Sequence, residues 1–167
     1  MPRKTEGEPK LNRRAMTAEG ACACGAVRFE IEVPAMWAWH DHSTLSRRAH
    51  GSAAAVYVGT WKSRFRLLEG EKAITRFRED ATGATRSFCR RCGCPLFYER
   101  ARSPKALNIP RALFEAGVGR EPRYHVGIEE QPEWAYRGAK LRPLKGFPGV
   151  VWEGPGKRRK SGDVGLF

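Results

Sequence analysis

Along GAVRFEIEV (25–33) apolar and polar positions alternate: Val27, Phe29, Ile31 and Val33 fall on one face, Arg28, Glu30 and Glu32 on the other. A period of two belongs to a half-buried β-strand, because successive side chains leave the pleat on opposite sides. Pro34 closes that strand, and MWAWH (36–40) opens another with Trp37 and Trp39 on one side. SAAAVYVG (52–59) is a short apolar run suited to a central strand. FRLLEGEKAITRFRE (65–79) reads as a hairpin turning at Glu69-Gly70-Glu71. TRSFC (85–89), PLFYE (95–99) and RYHVGIE (123–129) supply further strands, while RALFEAG (111–117), preceded by Pro110, predicts a helical turn. The expected class is mainly β, with short connections and little helix.

The pattern fails at both ends. The first residues are rich in Lys, Arg, Glu and Pro, with too little apolar surface to order themselves. The expected organisation is a disordered basic tail over residues 1–17, one domain over 18–153 and a second disordered basic tail over 154–167. Met16 stands just before the first patterned segment and is an expected alternative start to Met1. A 41% hydrophobic and 29% charged composition is that of a globular domain rather than a disordered chain. The chain has no run of 18 apolar residues and its N-terminus has no apolar signal region, so no membrane role and a cytoplasmic location are expected.

The net charge of +13 favours anionic partners. Part of it lies in the tails: residues 1–15 carry five Lys/Arg against two Glu, and 154–167 four against one Asp. Nucleic acid is therefore a partner to weigh, but the charges are scattered and no nucleic-acid motif accompanies them. Nothing in the sequence sets an oligomeric state.

Five cysteines, at 22, 24, 89, 92 and 94, form two groups. An odd number without a signal peptide argues against a secreted disulfide framework. C-x-C at 22–24 lies between glycines and C-x-x-C at 89–92 precedes Gly93, which lets the backbone turn tightly around sulfur. A thioredoxin-like C-x-x-C would open a helix in a βαβ unit, whereas strands flank this one. Cys22, Cys24, Cys89 and Cys92 are thus expected to hold one structural zinc ion, two ligands from each of two segments.

These segments also carry a resemblance. GACACGAVRFE (20–30), SRRAHG (46–51), FRLLEGE (65–71) and TRSFCRRCGCPLFY (85–98), in that order, resemble the glutathione-dependent formaldehyde-activating enzymes, grouped with centromere protein V. The similarity runs over roughly residues 18–137 and includes PRYHV (122–126) and PEW (132–134). It implies a β-tent fold of antiparallel sheets around the structural zinc, and carbon–sulfur lyase chemistry that joins formaldehyde and glutathione into S-hydroxymethylglutathione. It also implies two zinc ions, the structural one on Cys22, Cys24, Cys89 and Cys92. The second, catalytic one uses C-x-C-x-x-C before Arg-Arg, and alignment on Arg47-Arg48 places those positions at Asp41, Ser43 and Ser46. One carboxylate and two hydroxyls are a hard, weak substitute for three thiolates. The family activity is therefore expected to be lost or altered. The alternative functions are a non-catalytic module for glutathione or another small anionic thiol, or a basic nucleic-acid binder.

Other residues are weighed beside these. His40 and His42 share a face on a strand and, with Cys94 or His50, are candidates for a second metal site, against a plainer reading as ordinary family and surface positions. Arg47 and Arg48, with Arg86, Arg90 and Arg91, are candidates for an anion pocket, or equally a solvated basic face. Trp37, Trp39, Trp61 and Trp134 are read as core, and Tyr124 and His125 as structural.

Overall fold

The computed structural model describes residues 16–135 and 141–153; the two expected tails lie largely outside them. Among the described residues, twelve strands and one short α-helix follow one another in the order β1 (Thr17–Ala21), β2 (Arg28–Glu32), β3 (Trp37–Asp41), α1 (Thr44–His50), β4 (Ala55–Trp61), β5 (Phe65–Glu69) and β6 (Ile74–Arg78). The second half continues with β7 (Thr85–Cys89), β8 (Pro95–Glu99), β9 (Ala106–Pro110), β10 (Tyr124–Val126), β11 (Arg142–Pro143) and β12 (Val150–Trp152). They form a three-stranded sheet, β1-β2-β5, and a nine-stranded sheet, β11-β12-β10-β3-β4-β9-β8-β7-β6. The mainly β, antiparallel class is as expected, and the apolar run at 55–61 is the central strand of the large sheet. The parallel exception is β10 against β3. Among the described residues no helix is long and apolar enough to cross a membrane.

The alternating face of β2 forms the core between the sheets. Val27, Phe29 and Ile31 are fully buried. The Phe29 ring meets Phe97 edge-on at 5.3 Å and Phe114 at 5.5 Å, and tilts on Phe65 at 5.7 Å. Leu96, Ile109, Val58 and Val118 close the cluster. Edge-to-face contacts of this kind add to the area term.

Three expectations are corrected. The segment 65–79 turns where predicted, but its arms do not pair: β5 adds to β2 and β6 to β7. Charges on β2 and β5 favour that choice, since Arg28 bridges Glu69 and Glu19 at 3.0 Å and Arg66 reaches Glu30. The helix α1 was not expected, although Ser43 caps it through Ser46 N–H and Gly51 ends it in the left-handed region. The helical turn expected within 111–117 is present as one 3-10 turn, Arg111–Leu113. Of the tryptophans, only Trp39 is buried; Trp61 and Trp134 are 40% and 72% exposed. In addition, β1 begins at Thr17, the last residue assigned to the tail.

Gly70 makes the passage between sheets possible. Its φ is +86°, and a Cβ there would lie 2.0 Å from the Ala26 carbonyl oxygen. Gly70→Ala is therefore expected to destabilise the fold by about 2 kcal/mol or more, combining left-handed strain with a backbone clash. Urea denaturation measures it, and a change within a few tenths of a kcal/mol would contradict the packing described.

Candidate functional site

The two cysteine turns meet at one end of the sheets. In the first, Gly25 N–H donates to Cys22 O and the Val27 amide to Cys22 Sγ at 3.3 Å. In the second, Gly93 N–H donates to Cys89 O and Cys89 N–H to Cys94 O. Gly25 and Gly93 both have positive φ, which is what bends each turn around its sulfurs. Cys22, Cys24, Cys89 and Cys92 place their sulfurs all within 4.8 Å of one another, and can hold a metal ion. The separations Cys22–Cys24, 3.6 Å, and Cys24–Cys89, 3.9 Å, bracket the edge of about 3.8 Å that a tetrahedron with metal–sulfur bonds of about 2.3 Å requires. They far exceed a disulfide bond.

The thiols alone are in electrostatic conflict. The Cys94 backbone amide leads the groups that pull Cys92 down to about 6. The Ala26 backbone amide lowers Cys24, yet Cys92, desolvation, Cys22 and Cys89 together push it up to about 11. Four thiolates cannot share this volume without a cation, and a divalent ion removes the conflict. Cys94 stands aside, its thiol on the Pro95 carbonyl at 3.6 Å and its pKa raised first by burial.

The positions aligned with the second family metal hold one another. Asp41 is buried, and its Oδ1 accepts from Ser43 N–H at 3.0 Å and Ser43 Oγ–H at 2.6 Å. Ser43 Oγ in turn accepts from Ser46 N–H at 3.4 Å. Ser46, fully buried, accepts from Arg86 Nη2 at 3.4 Å. Arg86 also donates to the Tyr57 hydroxyl at 3.1 Å, pairs with buried Glu79 and lies over the Tyr98 ring at 4.4 Å. Burial opposes the Arg86 charge, but Glu79 and Tyr57 raise its pKa overall. His50 Nε2 lies 2.8 Å from the Tyr57 hydroxyl; burial, then Arg86, lowers its pKa, and burial raises that of the phenol.

Arg86 lies between two clefts of about 620 Å³ each. One is largely apolar, lined by Leu45, Phe77, Phe88, Pro95 and Phe97, with Arg48 and His50. The other is polar and of mixed sign, with Asp41, Arg100, Arg102, Glu129 and Glu130. Arg47 belongs to neither lining: Nε donates to His42 O, and Nη2 to Thr44 Oγ1 and Glu130 O, each at 3.0 Å. Arg90 and Arg91 are exposed on the second cysteine turn.

The structure brings His40 and His42 together, but with His125 rather than Cys94 or His50. The His40 and His125 rings stack at 4.5 Å, and His42 Nε2 lies 2.9 Å from His125 Nδ1. Burial first, then His125 and His40, lowers His42 to about 4; burial and His40 lower His125. The alternation in WAWHD and RYHVG marks both strands, but only their pairing reveals the cluster.

The family described as glutathione-dependent formaldehyde-activating enzyme matches residues 17–130. A Halomonas elongata protein bearing that enzyme's name is 25% identical over 125 residues, covering 71% of this chain and 80% of its own. The crystal structure of a Rhodobacter sphaeroides protein superimposes with a TM-score of 0.51 at 27% identity, covering 59% of this chain and 88% of that one.

Proposed function

The chain belongs to the glutathione-dependent formaldehyde-activating family, which it matches over more than half its length, and we propose that it is a zinc-scaffolded binding protein for glutathione or its formaldehyde adduct. The zinc sits on Cys22, Cys24, Cys89 and Cys92 and is structural. The thiol ligand occupies the polar cleft beside Asp41, Ser43 and Arg86. Glutathione carries two carboxylates and one ammonium group, and a cleft bearing both Arg100, Arg102 and Glu129, Glu130 offers each a counter-charge.

One observation carries the reading on catalysis. Asp41 Oδ1 accepts from Ser43, Ser43 Oγ from the Ser46 amide and Ser46 Oγ from Arg86, so these three oxygens are engaged by the fold where family members place three thiolates around zinc. Hydroxyls that donate or accept within such a network are poor zinc ligands at neutral pH. Lewis-acid catalysis of carbon–sulfur bond formation at this position is accordingly lost, while the pocket remains.

Calorimetry and exchange NMR test both halves. Glutathione is expected to bind, and Arg100→Gln to weaken it about tenfold, the worth of one charge-assisted hydrogen bond. Formaldehyde–glutathione exchange is expected to run at its uncatalysed rate. Acceleration that a chelator abolishes would overturn the non-catalytic reading; absence of any glutathione heat would overturn the ligand.

A further inference from the structure

The geometry points to a second metal site, made by His40, His125 and Glu153 and suited to a divalent transition ion of the zinc class. It is separate from the four cysteines and from the aligned positions 41, 43 and 46. It goes beyond the proposed function, which needs only the structural ion.

Three strands deliver the ligands. The parallel pairing of β3 with β10 sets His40 directly opposite His125, and β10 pairs on its other side with β12, which leads into Glu153. One ligand atom from each of the three lies within 4.8 Å of the others. His40 projects from the face of β3 opposite to Asp41, since neighbouring side chains alternate. The site therefore stands back to back with the Asp41 network.

The second observation is an unmet polar group. The His125 side chain is only 9% exposed, and its Nε2 has no hydrogen-bond partner, although Glu153 Oε1 is 3.4 Å away. A buried ring nitrogen left in this state costs about 1–3 kcal/mol, and a metal ion between it and the carboxylate would satisfy both. The other ring nitrogens can take the tautomers that metal-ligating imidazoles require, with the His42 proton then on its unpartnered Nδ1. His40 Nε2 lies 3.1 Å from the Pro122 carbonyl, which can only accept, so this nitrogen carries the proton and Nδ1 keeps the lone pair. His125 Nδ1 meets His42 Nε2 at 2.9 Å; donation from His125 leaves its Nε2 free to ligate. His42 is then a positioning residue.

Ligand atoms on a tetrahedral zinc lie about 3.3 Å apart, from metal–ligand bonds of about 2.0 Å. The three groups must therefore draw in, by ring rotation and by movement of Glu153, whose side chain is 48% exposed and has room to turn. Two imidazoles and one carboxylate leave a fourth position open to water or a ligand heteroatom, the arrangement of a reactive rather than a closed structural site.

Cobalt supplied in place of zinc while the untagged full-length protein refolds, and then titrated further, distinguishes the two sites by colour. The first equivalent should fill the cysteines, with sulfur-to-cobalt charge transfer in the near ultraviolet. A second should add weak visible absorption with no further charge transfer. Glu153→Gln changes a surface group and should weaken the second equivalent about tenfold or more, since loss of even an outer-shell partner costs about 10–100-fold; the first equivalent should not change. His125→Ala should remove the second equivalent altogether. Saturation of the wild type at one cobalt, or two equivalents bound equally well by Glu153→Gln and His125→Ala, overturns the site. Failure of glutathione to bind would leave it untouched.

Discussion

Cys92→Ser is expected to yield a chain that holds no ion at the four-cysteine centre and does not fold stably. The size of the effect separates a metal ligand from a surface thiol. Cys92 is exposed, and an exposed substitution away from special features changes stability by about 0.5 kcal/mol or less. If the residue closes a zinc tetrahedron, the change removes one thiolate of four and with it binding energy that is also folding energy, on the order of 10 kcal/mol. That matches the whole stability of an ordinary domain. Zinc content by elemental analysis and amide dispersion in the NMR spectrum check the outcome together. A folded Cys92→Ser protein with full zinc content would refute the assignment. Cys94→Ser is the control: its thiol donates to the Pro95 carbonyl and lies outside the four-sulfur cluster, so metal content and folding should be retained.

The cysteine centre was legible in the sequence because each half is local. Two close sulfurs and a glycine that permits the turn announce a ligand pair without knowledge of the fold, and only the meeting of the pairs needed the structure. The strand at 28–32 was legible for a similar reason, as burial on one face leaves a period of two, and that at 55–61 because burial on both faces leaves a continuous apolar run. The partner of β5 was not legible. A turn at Gly70 is compatible with pairing either neighbour, and cross-strand charges with Arg28 and Glu30 decide it. α1 was overlooked because seven residues carry too little periodicity, though Ser43 and Gly51 mark its ends. His125 was set aside as structural because its meeting with His40 depends on a parallel pairing of strands far apart in the chain. Arg86 was named among five candidate anion-pocket arginines, with nothing to set it apart from the other four. Its burial against Glu79, Ser46 and Tyr57 is a property of three sequence-distant contacts, and no local pattern encodes it.

That buried cation gives the second large effect. Arg86→Met should lower stability by about 3–5 kcal/mol, because it leaves the Glu79 carboxylate buried without its partner. The side chains of Arg86 and Glu79 are only 12% and 7% exposed, so water cannot replace what the guanidinium supplies. The Thr82 hydroxyl, at 2.8 Å from Glu79 Oε2, is the remaining side-chain donor and is neutral. In a domain of this size the loss corresponds to a fall in Tm of about 10 °C or more. The cause is separable by a second change. Glu79→Gln in the Arg86→Met background removes the stranded charge and should recover a substantial part of the loss, giving a coupling energy between the two positions of 1 kcal/mol or more in a double-mutant cycle. Additive losses would mean that the pair does not hold the network. The consequence for binding follows from the same contacts: Arg86 fixes the Ser46 hydroxyl and lines both clefts, so the double variant, although refolded, should bind glutathione more weakly than the wild type. Unchanged affinity in a folded double variant would place the thiol ligand elsewhere than against Arg86.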